Sequence, residues 1–166
     1  GTDVTLGDSG DTFTVPSGTT LDIASGATIT NSGTQTGFGL FSSYAILAHR
    51  EAQNTAGGTC TSGAWRTRPL NTEVADPDGI VSLASDQFTL AAGTYFIRWL
   101  STHYYLSYVA TRLYNATDAA LAESGISGYW GAHFSGEGTA RITIAASKAF
   151  EIQIQSSNTQ ATYGMG

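Results

Sequence analysis

Two hydrophobic rhythms run along the chain. Over residues 1–37, Ser9-Gly10, Ser17-Gly18 and Ser25-Gly26 recur at intervals of eight, and Ser32-Gly33 follows one residue early. The intervening segments alternate apolar and polar side chains: Thr12-Phe13-Thr14-Val15, Thr20-Leu21-Asp22-Ile23 and Thr28-Ile29-Thr30. Successive strand side chains point to opposite faces, so Phe13, Val15, Leu21, Ile23 and Ile29 share one face. Each Ser-Gly predicts a corner, with glycine supplying the special backbone angles. Eight residues make about one strand of ~5 residues and a corner, too little for one chain to wrap its own core. Three chains, each forming one wall of a triangular prism, would bury that face. The repeat therefore predicts a trimeric β shaft whose layers are stable only against their neighbours. A flexible linker is the alternative, but linkers lack regularly spaced Phe, Leu and Ile.

Gly37-Phe38-Gly39 predicts a hinge into a second part, residues 38–166, that is richer in aromatics and irregular in spacing. Strands are predicted at 41–50, 65–68, 80–83, 87–90, 94–101, 105–114, 141–145 and 150–155, with a short one at Thr162-Tyr163. Residues 55–63 form a Gly-rich loop, Asp76-Pro77-Asp78-Gly79 a turn, and 125–138 a glycine-punctuated loop. Only 118–124 has any helical character, and a hairpin end suits it better. Ile142 and Ile144 alternate with Arg141 and Thr143, and Phe150, Ile152 and Ile154 with Glu151, Gln153 and Gln155, which predicts one-sided burial. Residues 94–100 differ. Tyr95, Ile97 and Trp99 lie on one face, Phe96 and Leu100 on the other, and a strand apolar on both faces is covered on both. In an antiparallel sandwich the second cover is another subunit, so these five residues are candidates for core and trimer interface. The fold class expected is all-β, a trimeric jelly-roll β-sandwich preceded by the repetitive shaft.

Composition supports this class. Gly, Thr, Ser, Ala and Tyr are abundant and the good helix formers Lys and Glu are scarce. Seven Lys+Arg against 13 Asp+Glu give a net charge of −6, which repels a phosphate backbone and argues against a nucleic-acid partner. No apolar run of about 20 residues predicts membrane insertion, and no basic segment followed by an apolar one predicts a signal peptide. A sequence that starts without Met inside a repeat is expected to be a piece of something longer. The single cysteine, Cys60, excludes an internal disulfide, and its polar surroundings predict an exposed bystander thiol.

At Phe88-Thr89-Leu90-Ala91-Ala92-Gly93-Thr94-Tyr95-Phe96-Ile97 the sequence resembles the strand–turn–strand hallmark of the complement globular-head and tumour-necrosis-factor superfamily of jelly rolls. Trp65-Arg66-Thr67-Arg68-Pro69-Leu70-Asn71-Thr72, Arg112-Leu113-Tyr114-Asn115-Ala116-Thr117-Asp118 and Arg141-Ile142-Thr143-Ile144-Ala145-Ala146-Ser147-Lys148 resemble stretches of the jelly-roll knobs of bacteriophage tail fibres. The Ser-Gly repeat is similar to shaft segments of viral fibres. The resemblance implies a homotrimer on a virion that recognises a host-surface glycan or protein, among other virion proteins. It does not imply a fixed ligand. The chain departs from those relatives at 102–108, which is unusually aromatic, and at 125–138.

Those two departures hold the candidate receptor residues: Tyr104, Tyr105, Tyr108, Tyr129, Trp130 and His133. Rigid amphipathic rings bind sugars and proteins at low entropic cost, though for any single one of them packing in a core or a subunit interface is the commoner role. His49, His103 and His133 could supply one nitrogen per chain to a metal on a trimer axis, but there is no His-x-His pair and no Cys or carboxylate at ligand spacing, so no metal or other cofactor is expected. His49, beside Arg50 and Glu51, suits an interface. Asp8, Asp11 and Asp22 could suggest the paired carboxylates of a glycan hydrolase, yet they sit at turn positions on a shaft too thin for a substrate groove. Gly125-Ile126-Ser127-Gly128 has the wrong spacing for a nucleophile elbow. Binding rather than catalysis is expected, in a virion fibre tip. Capsid decoration or baseplate bracing, a glycan depolymerase and a secreted adhesin are the successively weaker alternatives.

Overall fold

The computed structural model describes residues 12, 14–20, 22–28, 41, 43–129 and 133–165, with 133 and 134 described by backbone alone. The chain divides into two units, Gly1–Leu40 and Phe41–Gly166. In the first unit two corners are defined. Thr19 N–H donates to Pro16 O at 3.2 Å and Ala27 N–H to Ala24 O at 3.0 Å. Gly18 and Gly26 sit at φ of 85° and 86°, the third-residue conformation of a type II turn. No strand forms among the described residues here, where strands were expected between the corners. A strand needs a partner for its backbone groups, and the described residues of this unit supply none. Val15 and Ile23 are exposed; Phe13, Leu21 and Ile29 lie outside the described residues.

The second unit is all-β and antiparallel, with no helix among the described residues. Its strands are β1 (Ile46–Ala48), β2 (Arg66–Thr67), β3 (Thr72–Ala75), β4 (Val81–Ala84), β5 (Gln87–Leu90), β6 (Gly93–Tyr104), β7 (Val109–Asn115), β8 (Ala120–Gly128), β9 (His133–Ile144) and β10 (Lys148–Ser156). A six-stranded sheet runs β4-β5-β10-β7-β8, with β2 also pairing β10; β6 pairs β9 along its whole length, and β1 pairs β3. Ser85 and Asp86, both at positive φ, make the two-residue β4–β5 turn that matches strand twist. At 76–79, the Asp76 carboxylate accepts from the N–H groups of Ile80 and Val81 at 2.9 and 3.0 Å, which holds its pKa below the ordinary value.

Phe88, Leu90, Trp99, Leu113, Ala140, Phe150 and Ile152 form the main core, flanked by Tyr95, Ile97, Ile142 and Ile144. The inner face of β9 tapers to receive it. Opposite Tyr95 stands Ile142, opposite Ile97 stands Ala140, and opposite Trp99 stands Gly138. A Cβ on Gly138 would lie 2.0 Å from the indole. The indole N–H donates to Thr111 Oγ1 at 3.2 Å, joining β6 to β7 of the other sheet. Thr111 in turn fills the space over Gly125 and Gly136, where a Cβ would come within 2.2 and 2.4 Å. At Gly125 a bulge sets Gly125 and Ile126 of β8 against the single Thr111.

These contacts correct the expectation of a glycine-punctuated loop over 125–138. Residues 125–128 end β8 and 133–138 begin β9; the glycines make room rather than break strands. Thr162-Tyr163 is turn, not strand, and only Gln160 bridges, to Cys60. Cys60 is fully buried, not exposed, because it packs with Leu106, Val109, Ile154 and Met165 in a second small core. Burial pushes its thiol pKa up, with the Arg66 charge opposing, so the thiol stays protonated and unreactive.

The inner end of β6 is polar. Ser101 and His103 are buried, and Arg68, also buried, donates to the Thr102 carbonyl and, at 3.1 Å, to its hydroxyl. Burial, helped by the Arg68 charge, lowers the His103 pKa from 6.5 to about 4.

Gly138→Ala is expected to cost at least about 1–3 kcal/mol through overpacking against Trp99, while Thr139→Ala on the exposed face stays within about 0.5 kcal/mol; thermal melting compares them. As pH falls from 6.5 toward about 4, unfolded His103 takes up a proton that the folded chain refuses, so stability should drop across that window. His103→Gln should flatten the slope of melting temperature against pH above the carboxylate range, and an unchanged slope would refute the assignment.

Candidate functional site

The described tyrosine candidates, Tyr104, Tyr105, Tyr108 and Tyr129, gather at one end of the second unit, where β6 turns into β7 and where β8 ends. Leu106 decides how the β6–β7 turn presents its neighbours. It is 1% exposed, sunk into the small core with Val109, and this forces Tyr105 and Tyr108 outward at 53% and 67% exposure. Both tyrosines pay in backbone conformation, at φ of 53° and 35°. Non-glycine residues held in this region cost about 1–3 kcal/mol and persist where the surroundings over-determine them. The surroundings here are hydrogen bonds from the end of β10. Asn158 Oδ1 accepts from Ser107 N–H, and Asn158 Nδ2 donates to Tyr105 O at 3.0 Å. The Ser156 and Ser157 hydroxyls both donate to Ser107 O, at 2.9 and 3.1 Å.

The rings form two groups. Tyr104 meets Tyr105 edge-on at 4.5 Å and Tyr163 at 6.3 Å. Tyr108 meets Tyr129 at 4.7 Å. Beside the second pair lies an open groove of about 620 Å³, lined by Gly63, Val109, Ala110, Ser127, Gly128, Gln155, Ser156 and Ser157 together with both rings. His133 pairs with Tyr104 in the β6–β9 ladder, and Trp130 lies outside the described residues. Tyr163 and the groove residues other than Tyr108 and Tyr129 carried no sequence signal as a site, because only the packing of the C-terminal turn and the alignment of three strands bring them here.

The five candidates on β6 separate by face. Tyr95, Ile97 and Trp99 enter the chain's own core. Phe96 and Leu100 point outward at 54% and 63% exposure, and exposed Phe41 stacks on Phe96 at 5.7 Å. Thr94, Arg98, Glu137, Arg141 and Thr143 surround them on the same outer face, with Arg98 and Glu137 paired at 3.4 Å. Phe41, the first residue of the unit, thus sits near the start of β6, and the tyrosines lie at and past its other end.

A polar network covers the outer face of β10. The Arg112 guanidinium lies 4.1 Å from the Trp65 ring and 4.6 Å from the Tyr114 ring, and donates to Gln153 Oε1 at 2.7 Å. Glu151 accepts from Thr67, Gln87 and Gln153 at 2.6–2.7 Å. Burial alone would push the Glu151 pKa up; the hydrogen bonds from Thr67, Gln153 and Gln87 and the Arg112 charge outweigh it and hold it down. Trp65, Thr67, Arg112 and Tyr114 come from two of the stretches quoted above for the fibre-knob resemblance, and here they act as structural joinery. His49 is held by Glu51 at 2.9 Å. Among the described residues no three His, Cys, Asp or Glu side chains cluster as metal ligands.

Asn158→Ala removes the two side-chain bonds that Asn158 makes to the Tyr105–Ser107 backbone. It should cost about 1–3 kcal/mol and speed amide exchange at 105–108 more than in the β6–β9 ladder, as hydrogen-exchange mass spectrometry can read. No family model, curated protein or solved structure matches this chain.

Proposed function

We propose that this chain is the trimeric tip of a bacteriophage fibre, a jelly-roll knob behind a repetitive shaft, that binds a host-surface receptor and performs no catalysis. The observation that carries the reading is the two-sided apolar β6. Its inner face fills the chain's own core, yet Phe96, Leu100 and the stacked Phe41 remain open on the outer face. Burying Phe96 and Leu100 is worth about 1.5–3 kcal/mol each per chain, which a second copy supplies. Strand order supports the jelly roll. The chain passes between the six-stranded sheet and the β6–β9 pair after β5, after β6, after β8 and after β9, so that β5, β10 and β7 become neighbours despite their distance in sequence. The eight-residue modules, with Val15 and Ile23 exposed, ask for the same kind of cover. Recognition is assigned to the end that carries Tyr104, Tyr105, Tyr108 and Tyr129, opposite the end where Phe41 sits. Three copies of a weak site gain adsorption strength through multivalency.

Native mass measurement tests this first: about three times 17.3 kDa is expected, and Phe96→Glu with Leu100→Glu should yield monomers. A stable wild-type monomer at micromolar concentration would sink the proposal. Labelled wild-type protein should also adsorb to bacterial cells, and Tyr105→Ala with Tyr129→Ala should reduce adsorption at least tenfold while the trimer persists.

A further inference from the structure

Resting on the reading of this end as a recognition surface, we propose that the groove beside Tyr108 and Tyr129 binds a neutral saccharide. Its floor is one row across three strands: Gln155 of β10 stands opposite Ala110 of β7, which stands opposite Ser127 of β8. Ala110 is the small residue in the middle of that row, and the volume above it, about 620 Å³, falls in the range of small-ligand sites. The Tyr108–Tyr129 pair stands at one side and Gly63 with Ser157 also lines the groove. A pyranose has the matching anatomy, a C–H face that packs on aromatic rings and a rim of hydroxyls for groups such as the Gln155 amide and the Ser127 and Ser157 hydroxyls.

Charge selects among sugars. Among the described residues no Lys, Arg, Asp or Glu lines the groove. Arg112, one step along β7 on the same face, is already engaged by Gln153, Trp65 and Tyr114. A carboxylated or phosphorylated sugar would lose water without gaining a cation, on a chain of net charge −6. The groove also lies on the six-stranded sheet, the other sheet from exposed Phe96 and Leu100, so association through β6 leaves it open. The backbone strain at Tyr108, φ 35°, is the cost of holding its ring at this rim.

The test uses the full chain on an array of dextran, mannan and chitooligosaccharides as neutral probes, with polysialic acid and polygalacturonate as acidic ones. At least one neutral probe should bind, and Ala110→Phe, which fills the floor, should weaken it at least tenfold with unchanged melting temperature. Should that variant fail to fold, Tyr129→Ala should give the same loss. Preference for acidic probes, no neutral probe bound, or neutral binding indifferent to both substitutions overturns the assignment. Adsorption to cells should be destroyed by periodate, which cleaves sugar diols. If protease destroys it instead and Ala110→Phe leaves it intact, the saccharide groove is overturned and the recognition reading stands. If the protein adsorbs to no cell but still binds a neutral probe, the recognition reading fails and the groove survives.

Discussion

The main core of the second unit is arranged around seating one indole between two sheets. Trp99 comes from β6, its hydrogen-bond acceptor Thr111 from β7, and the gap it fills from Gly138 on β9. An indole buries a large apolar area, but leaving its N–H unsatisfied would cost about 1–3 kcal/mol. Thr111 removes that penalty, and its own bulk is accepted by Gly125 and Gly136. The arrangement also locks register. A slip of one residue in the β6–β9 ladder would set Glu137 or Thr139 beneath the ring and turn every inward side chain out.

With Trp99 inward, alternation leaves Phe96 and Leu100 no choice but to face out. The same geometry that completes the chain's core therefore creates an apolar outer surface, crossed by the Arg98–Glu137 pair and capped by Phe41. In the proposed trimer that surface is the specific contact. The polar groups around it would set the register of copies rather than supply much energy, since exposed ion pairs contribute about 0–1 kcal/mol.

The tyrosine end rests on a separate support. Leu106, Val109, Cys60, Ile154 and Met165 bury one another below it, and Asn158, Ser156 and Ser157 tie down the turn above. Exposed rings on a mobile loop would lose binding energy to ordering. Here that cost is met in folding, through the strained conformations of Tyr105 and Tyr108, so the proposed recognition surface is held in place before any ligand arrives.

Much of this was legible along the chain, and the limits have a physical cause. Period-two alternation located β10 and the start of β6, and matched β5 to the residue, because side-chain direction in a strand is a local property; it stopped β6 at 101, three residues short of Tyr104. The two-faced apolar character of 94–100 and the positive-φ corners at Gly18 and Gly26 are local as well. What the alternation could not say is which face of β6 meets the chain's own core and which is left open; that depends on Trp99 finding Thr111 across the sandwich. Glycines at 125, 136 and 138 look like breakers in one dimension and are clearance in three. Cys60 looks exposed among Gly and Thr and is buried, because the C-terminal turn folds back over it. The row Gln155–Ala110–Ser127, and with it the groove, exists only after three separated segments are brought side by side. Local backbone preference is written residue by residue, whereas a site belongs to whichever distant residues packing makes neighbours.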